Sequence, residues 1–85
     1  MTREMQPEGE VFGRRLREIR LKRGMTQEAL AQAAGTAGPY VSDMERGLKV
    51  PSLTTVLRLA LALDCKPTAL ISVFDKADLR SILLQ

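Results

Sequence analysis

Six basic side chains, Arg14, Arg15, Arg17, Arg20, Lys22 and Arg23, crowd into one ten-residue stretch, against thirteen Lys and Arg in the whole chain of 85 residues. Only one acid, Glu18, interrupts them. Such a concentration can meet phosphates. The same run also reads as a solvated helix face, and a net charge of +3 does not choose between the two. A second set stands further on. Pro39, Ser42, Asp43 and Arg46 fall at i, i+3, i+4 and i+7, so a short helix would carry them on one face. Val41, Met44 and Leu48 would share the opposite face. A helix that is polar outside and apolar inside can present hydrogen-bonding groups while staying attached to a core.

Catalysis has little to work with. The chain has no histidine, so neither a Ser-His-Asp nor a Cys-His arrangement can form. The single cysteine, Cys65, allows no internal disulfide and no cysteine-rich metal site, which suits a reducing cytoplasm. At a helix end it reads as a small apolar filler. The sequence holds no phosphate-cradling Gly-rich loop and no carboxylate cluster. The expectation is therefore a cytoplasmic, non-enzymatic protein with no cofactor and no metal. Residues 1–9 are polar and lack the apolar core of a signal peptide. No apolar run reaches membrane-spanning length.

The elements that must position these residues are helices. Hydrophobic residues make up 45% of the chain, mostly Leu and Ala, and aromatics are only Phe12, Tyr40 and Phe74. Residues 1–8 read as a flexible arm. A first helix is expected over 10–23, burying Phe12, Leu16 and Ile19, with Gly24 ending it. Thr26 caps a second over 27–34, which buries Leu30, Ala31 and Ala34 before Gly35. A third runs over 39–46 and stops at Gly47. Ser52 caps a fourth, with Leu53, Val56, Leu57, Ala60 and Leu63 as its buried stripe. Pro67 opens a fifth, through about Phe74. Asp75 caps a last segment in which Leu79, Ile82 and Leu83 repeat at helical spacing. Two short helices joined by a tight Gly-containing turn make a helix-turn-helix, whose second helix fits a DNA major groove. Here that helix is 39–46.

The local text is more specific. Met25-Thr26-Gln27-Glu28-Ala29-Leu30-Ala31, then Gly35, then Tyr40-Val41-Ser42-Asp43-Met44-Glu45-Arg46-Gly47, then Pro51-Ser52-Leu53, closely resembles the lambda-repressor/Cro-type helix-turn-helix family, also called the xenobiotic-response-element family. The resemblance runs from about Phe12 to Leu70. It implies an all-α, five-helix DNA-binding domain over residues 9–70, operator DNA as ligand, and usually a dimer. By position it gives Gln27 a phosphate contact at the start of the second helix. It gives Gly38, Pro39, Ser42 and Asp43 the base-edge positions, flanked by Tyr40 and Arg46, with Arg46 and Lys49 on backbone phosphate. The sequence departs from the family's pattern at Gly38 and Pro39, which offer no polar side chain, and at Ala37, where a capping Ser or Thr is frequent. Asp43 either accepts from cytosine N4 or orients Arg46 or Lys49. The resemblance also implies an ion pair between Arg20 and Glu45, two charges otherwise placed at cost near apolar faces.

Residues 71–85 are expected to form a C-terminal extension that serves dimerisation. Leu61 lies off the expected stripe of the fourth helix, and Leu79, Ile82, Leu83 and Leu84 follow a domain that is already complete. These predict a homodimer, and together with the resemblance the reading is a dimeric repressor. The competing readings are a tail folded back over its own core, and an antitoxin or co-regulator on the same fold that mainly binds a partner protein.

Overall fold

The structure, a computed structural model, describes residues 6–84. Most of the expected arm, 1–5, lies outside the described residues. Six helices follow in order: α1 (Pro7–Lys22), α2 (Gln27–Ala34), α3 (Gly38–Glu45), α4 (Leu53–Ala62), α5 (Pro67–Ile71) and α6 (Lys76–Leu83). There is no strand among the described residues, and none of their helices is long and apolar enough to cross a membrane.

The starts of these helices follow from local chemistry. Pro7 occupies the first turn of α1, where its missing N–H has no partner to lose, so the helix begins three residues before the expected Glu10. Glu8 and Glu10 sit in that turn, favoured by the helix dipole. Thr26 Oγ1 accepts from the Ala29 N–H at 3.0 Å and starts α2. Ser52 Oγ accepts from the Thr55 N–H at 3.2 Å and starts α4. At α6, Asp75 and Asp78 cap each other's backbone N–H reciprocally. By contrast, α3 starts from Ala37 with no side-chain cap, and Pro39 lies in its first turn.

The core gathers Phe12, Leu16 and Ile19 of α1, Leu30, Ala31 and Ala34 of α2, Val41 and Met44 of α3, Val56, Leu59 and Ala60 of α4, with Leu63 and Leu70. In this core α2 and α3 pack against one another; α1 lies across α3, and α4 across α2. Two expectations need correction. The buried stripe of α4 is Val56, Leu59, Ala60 and Leu63, while Leu53 and Leu57 are exposed. That helix is apolar on nearly every side, so periodicity alone does not fix which side turns inward. And α5 ends at Ile71, short of Phe74, which packs half-buried against the core from the following loop.

Glycines set the distance between α1 and α3. Gly9 and Gly13, one helical turn apart, face the end of α3. A Cβ on Gly13 would overlap the carbonyl oxygens of Met44 and Glu45, and one on Gly9 would stand 2.9 Å from the Gly47 carbonyl oxygen. The Gln6 N–H also donates to that Gly47 oxygen at 3.0 Å. The N-terminal half of α1 therefore lies directly on the backbone that closes α3.

Candidate nucleic-acid interface

Burial divides α3 into two faces. Val41, Met44 and Glu45 are buried, Pro39 and Arg46 are exposed, and Gly38, Tyr40, Ser42 and Asp43 are half-buried. Tyr40 packs against the hydrophobic core. What holds the inner face is an ion pair. Arg20 Nε donates to Glu45 Oε2 at 2.6 Å, and Arg20 Nη2 donates to Glu45 Oε1 at 3.0 Å, a two-pronged contact with both side chains almost wholly buried. The third guanidinium nitrogen donates to the Met25 carbonyl at 2.8 Å, in the turn before α2. Hydrogen bonding to Glu45 raises the Arg20 pKa above its ordinary value, against a smaller opposing effect of burial.

Gln27, at the first position of α2, belongs to the same network. Its Nε2 donates to Glu45 Oε1 at 3.1 Å. One carboxylate thus ties together α1, the start of α2 and the end of α3. The side chain expected to reach phosphate is held from its inner side, which fixes where the helix N-terminus points.

On the outer side, Arg46 Nη2 donates to Asp43 Oδ1 at 2.6 Å. Arg46 is one of the two cations proposed as partners for Asp43, and it is engaged here. The carboxylate is mostly covered and the guanidinium mostly free, so Asp43 positions the arginine rather than hiding it. Lys49 is exposed in the loop between α3 and α4. Sequence reasoning left Arg14 out of this surface. It lines a cleft of about 150 Å³ with Glu10, Glu45 and Arg46, putting a second cation beside the end of α3. The signal was its place in the basic run, but which members of that run share a side of α1 depends on the helix phase.

That phase breaks up the expected patch. Arg14 faces the α3 side, and Arg20 is buried in its ion pair. Arg15 Nε donates to the Ala69 carbonyl at 2.8 Å, and Arg23 Nη2 donates to the Asp64 carbonyl at 3.1 Å, both toward α5. The run is therefore neither one phosphate-binding patch nor one solvated face. The remaining expected residues stand apart from this surface. Leu61 is exposed on α4, Leu79 and Leu83 are exposed on α6, and Ile82 is half-buried.

The architecture is that of an all-helical domain carrying a helix-turn-helix in α2 and α3. Residues 16–70 match the helix-turn-helix family, and the chain belongs to it, in its lambda-repressor/Cro type. The control protein C.BamHI of Bacillus amyloliquefaciens is 39% identical over 62 residues, 72% of this chain and 76% of that protein. The HTH-type transcriptional regulator DdrOP3 of Deinococcus deserti is 50% identical over 46 residues, 54% of this chain but only 36% of that longer protein. Among solved structures, the restriction-modification controller protein C.AhdI from Aeromonas hydrophila superposes with a TM-score of 0.72 at 44% identity, covering 74% of this chain and 96% of its own. The family and these relatives are transcription regulators, not enzymes.

Proposed function

We propose that the chain is a sequence-specific DNA-binding repressor that acts as a homodimer and inserts α3 into the major groove of operator DNA. The observation that carries this reading is the division of α3. Its inner face is clamped to α1 and α2 through Glu45, while Pro39, Ser42, Asp43 and Arg46 are left on the outer face. A rigidly held helix that turns a polar face outward is what reading base edges requires. Ser42 and Asp43 offer hydrogen bonds to bases, and Pro39 and Gly38 allow close apolar approach, for instance to a thymine methyl. Arg46, Lys49 and Arg14 supply charge for the backbone, and Gln27 adds a hydrogen bond at the N-terminus of α2. The relatives named as controllers and regulators support the same reading.

Selection of bound fragments from genomic DNA with the purified protein, followed by titration of the selected site, tests it. A recurrent two-fold-related sequence, bound far more tightly than bulk DNA, is expected. Fragments no tighter than bulk DNA would defeat the reading.

A further inference from the structure

A cleft of about 290 Å³ opens between α1 and the start of α5. Arg15, Ile19, Lys22, Arg23, Cys65 and Ala69 line it. We propose that this cleft is a binding site for a small organic anion, its charge held by Lys22 and Arg23 and its apolar end resting on Ile19, Cys65 and Ala69.

Three observations lead there. First, the two arginines are held in place by backbone across the cleft. Arg15 reaches the Ala69 carbonyl and Arg23 the Asp64 carbonyl, so ordering them costs a ligand little. Second, those carbonyl partners leave the charge largely uncancelled. Arg15 has one carboxylate, Glu18, at 3.2 Å, and Arg23 takes the backbone oxygen of Asp64 rather than its carboxylate. Neither Lys22 nor Arg23 forms an ion pair among the described residues. Third, the floor is apolar. Ile19 is buried, and Cys65 and Ala69 are half-buried and packed against the core. Cations over an apolar floor match a ligand with a charged head and a hydrophobic body, not a bare ion. The volume is at the lower end of the roughly 300–1,000 Å³ usual for small-molecule pockets, which limits the ligand to about one ring or a short chain.

Benzoate is a suitable probe, with inorganic phosphate and sodium chloride at matched ionic strength beside it. Titration into the isotope-labelled full chain, followed by amide shifts, is independent of any DNA activity. Saturating benzoate shifts are expected at Arg23, Cys65 and Ala69, with chloride giving none. The double variant Lys22→Ala, Arg23→Ala changes two exposed side chains. It should keep the dispersed spectrum of the fold and bind benzoate about tenfold or more weakly, as loss of charged hydrogen-bond donors predicts. Shifts that rise linearly without saturating, or that persist unchanged in the double variant, would overturn the site. Phosphate saturating as tightly as benzoate would overturn the organic ligand class, because the apolar floor would then contribute nothing.

Discussion

Arg20 on α1 and Glu45 on α3, 25 residues apart, meet through two hydrogen bonds of 2.6 and 3.0 Å with 7% and 2% of their side chains exposed. Neither charge has water to fall back on. Arg20→Ala or Glu45→Ala alone strands the survivor and should cost about 3–5 kcal/mol in urea denaturation. Replacing both, Arg20→Met with Glu45→Leu, should cost far less, because no buried charge remains. A single-variant loss under about 1 kcal/mol would mean that the pair behaves as an exposed one.

The same contact between α1 and α3 depends on Gly13. A methyl there would overlap the Met44 and Glu45 carbonyl oxygens, which are backbone and cannot rotate away. Gly13→Ala should therefore destabilise by about 1–3 kcal/mol or more, despite alanine's better helix propensity. It should also shift α3, so DNA affinity should fall even at temperatures where the variant is fully folded. A melting temperature at or above the parent's would refute the close approach.

Much of this was legible in the sequence. Thr26, Ser52 and Asp75 mark helix starts by side chains that bond the backbone three residues on, and local chemistry of that kind survives folding. The inner and outer faces of α3 were legible because its apolar positions repeat cleanly. The phase of α4 was not, since Leu53, Leu57 and Leu61 are as apolar as Val56 and Leu59, and only packing on α2 and α5 decides between them. The roles of Gly9 and Gly13 were hidden as well. A glycine inside a helix signals weakness until a neighbouring backbone is known to press on it. Likewise the division of the basic run among three environments requires knowing which neighbour each side of α1 meets.

Binding to DNA should separate two kinds of residue. Arg46→Ala, Lys49→Ala and Gln27→Ala should weaken all sequences alike, and each lost arginine or lysine contact should lower the salt slope by about one. Ser42→Ala and Asp43→Ala should instead change which sequence is preferred. For Asp43 this has a second component, because its loss frees Arg46 from the 2.6 Å ion pair and should raise affinity for bulk DNA. Binding that is insensitive to salt between about 50 and 200 mM would contradict the phosphate contacts, which for six to ten of them predict roughly a 10³–10⁵-fold loss.

Cys65 should react slowly. Burial pushes its thiol pKa up, more than Arg23 and Arg15 pull it down. A thiol whose folded pKa is raised contributes stability below its unfolded value and loses it as pH rises through the folded one. Alkylation by iodoacetamide near neutral pH should thus be slower than for a free cysteine, because the thiolate is the reactive form. Denaturation should show a weakening at alkaline pH that Cys65→Ala removes. Reaction as fast as free cysteine would contradict the burial.

The last expectation concerns assembly. Leu53, Leu57 and Leu61 recur every four residues along the outer side of α4, with 73%, 47% and 83% of their surface exposed. On α6 no residue is fully buried, and Leu79, Leu83 and the following Leu84 are exposed. Within the tail, Phe74 packs against the core and Ile82 is half-buried, while these three leucines stay uncovered. Apolar surface left in water forgoes about 25 cal/mol per Å², and contiguous patches of it mark contact sites. A second copy is the occupant that also serves the DNA reading, since one reader helix spans few base pairs and a two-fold dimer sets two of them about 34 Å apart. Sedimentation at micromolar concentration should give a dimer. Leu61→Glu and Ile82→Glu test the two halves of this surface separately, each placing a charge where a copy would pack. Conversion to monomer by Leu61→Glu alone assigns the interface to α4, and by Ile82→Glu alone to α6. A parent protein that sediments as a clean monomer, unchanged by either substitution, would rule the interface out.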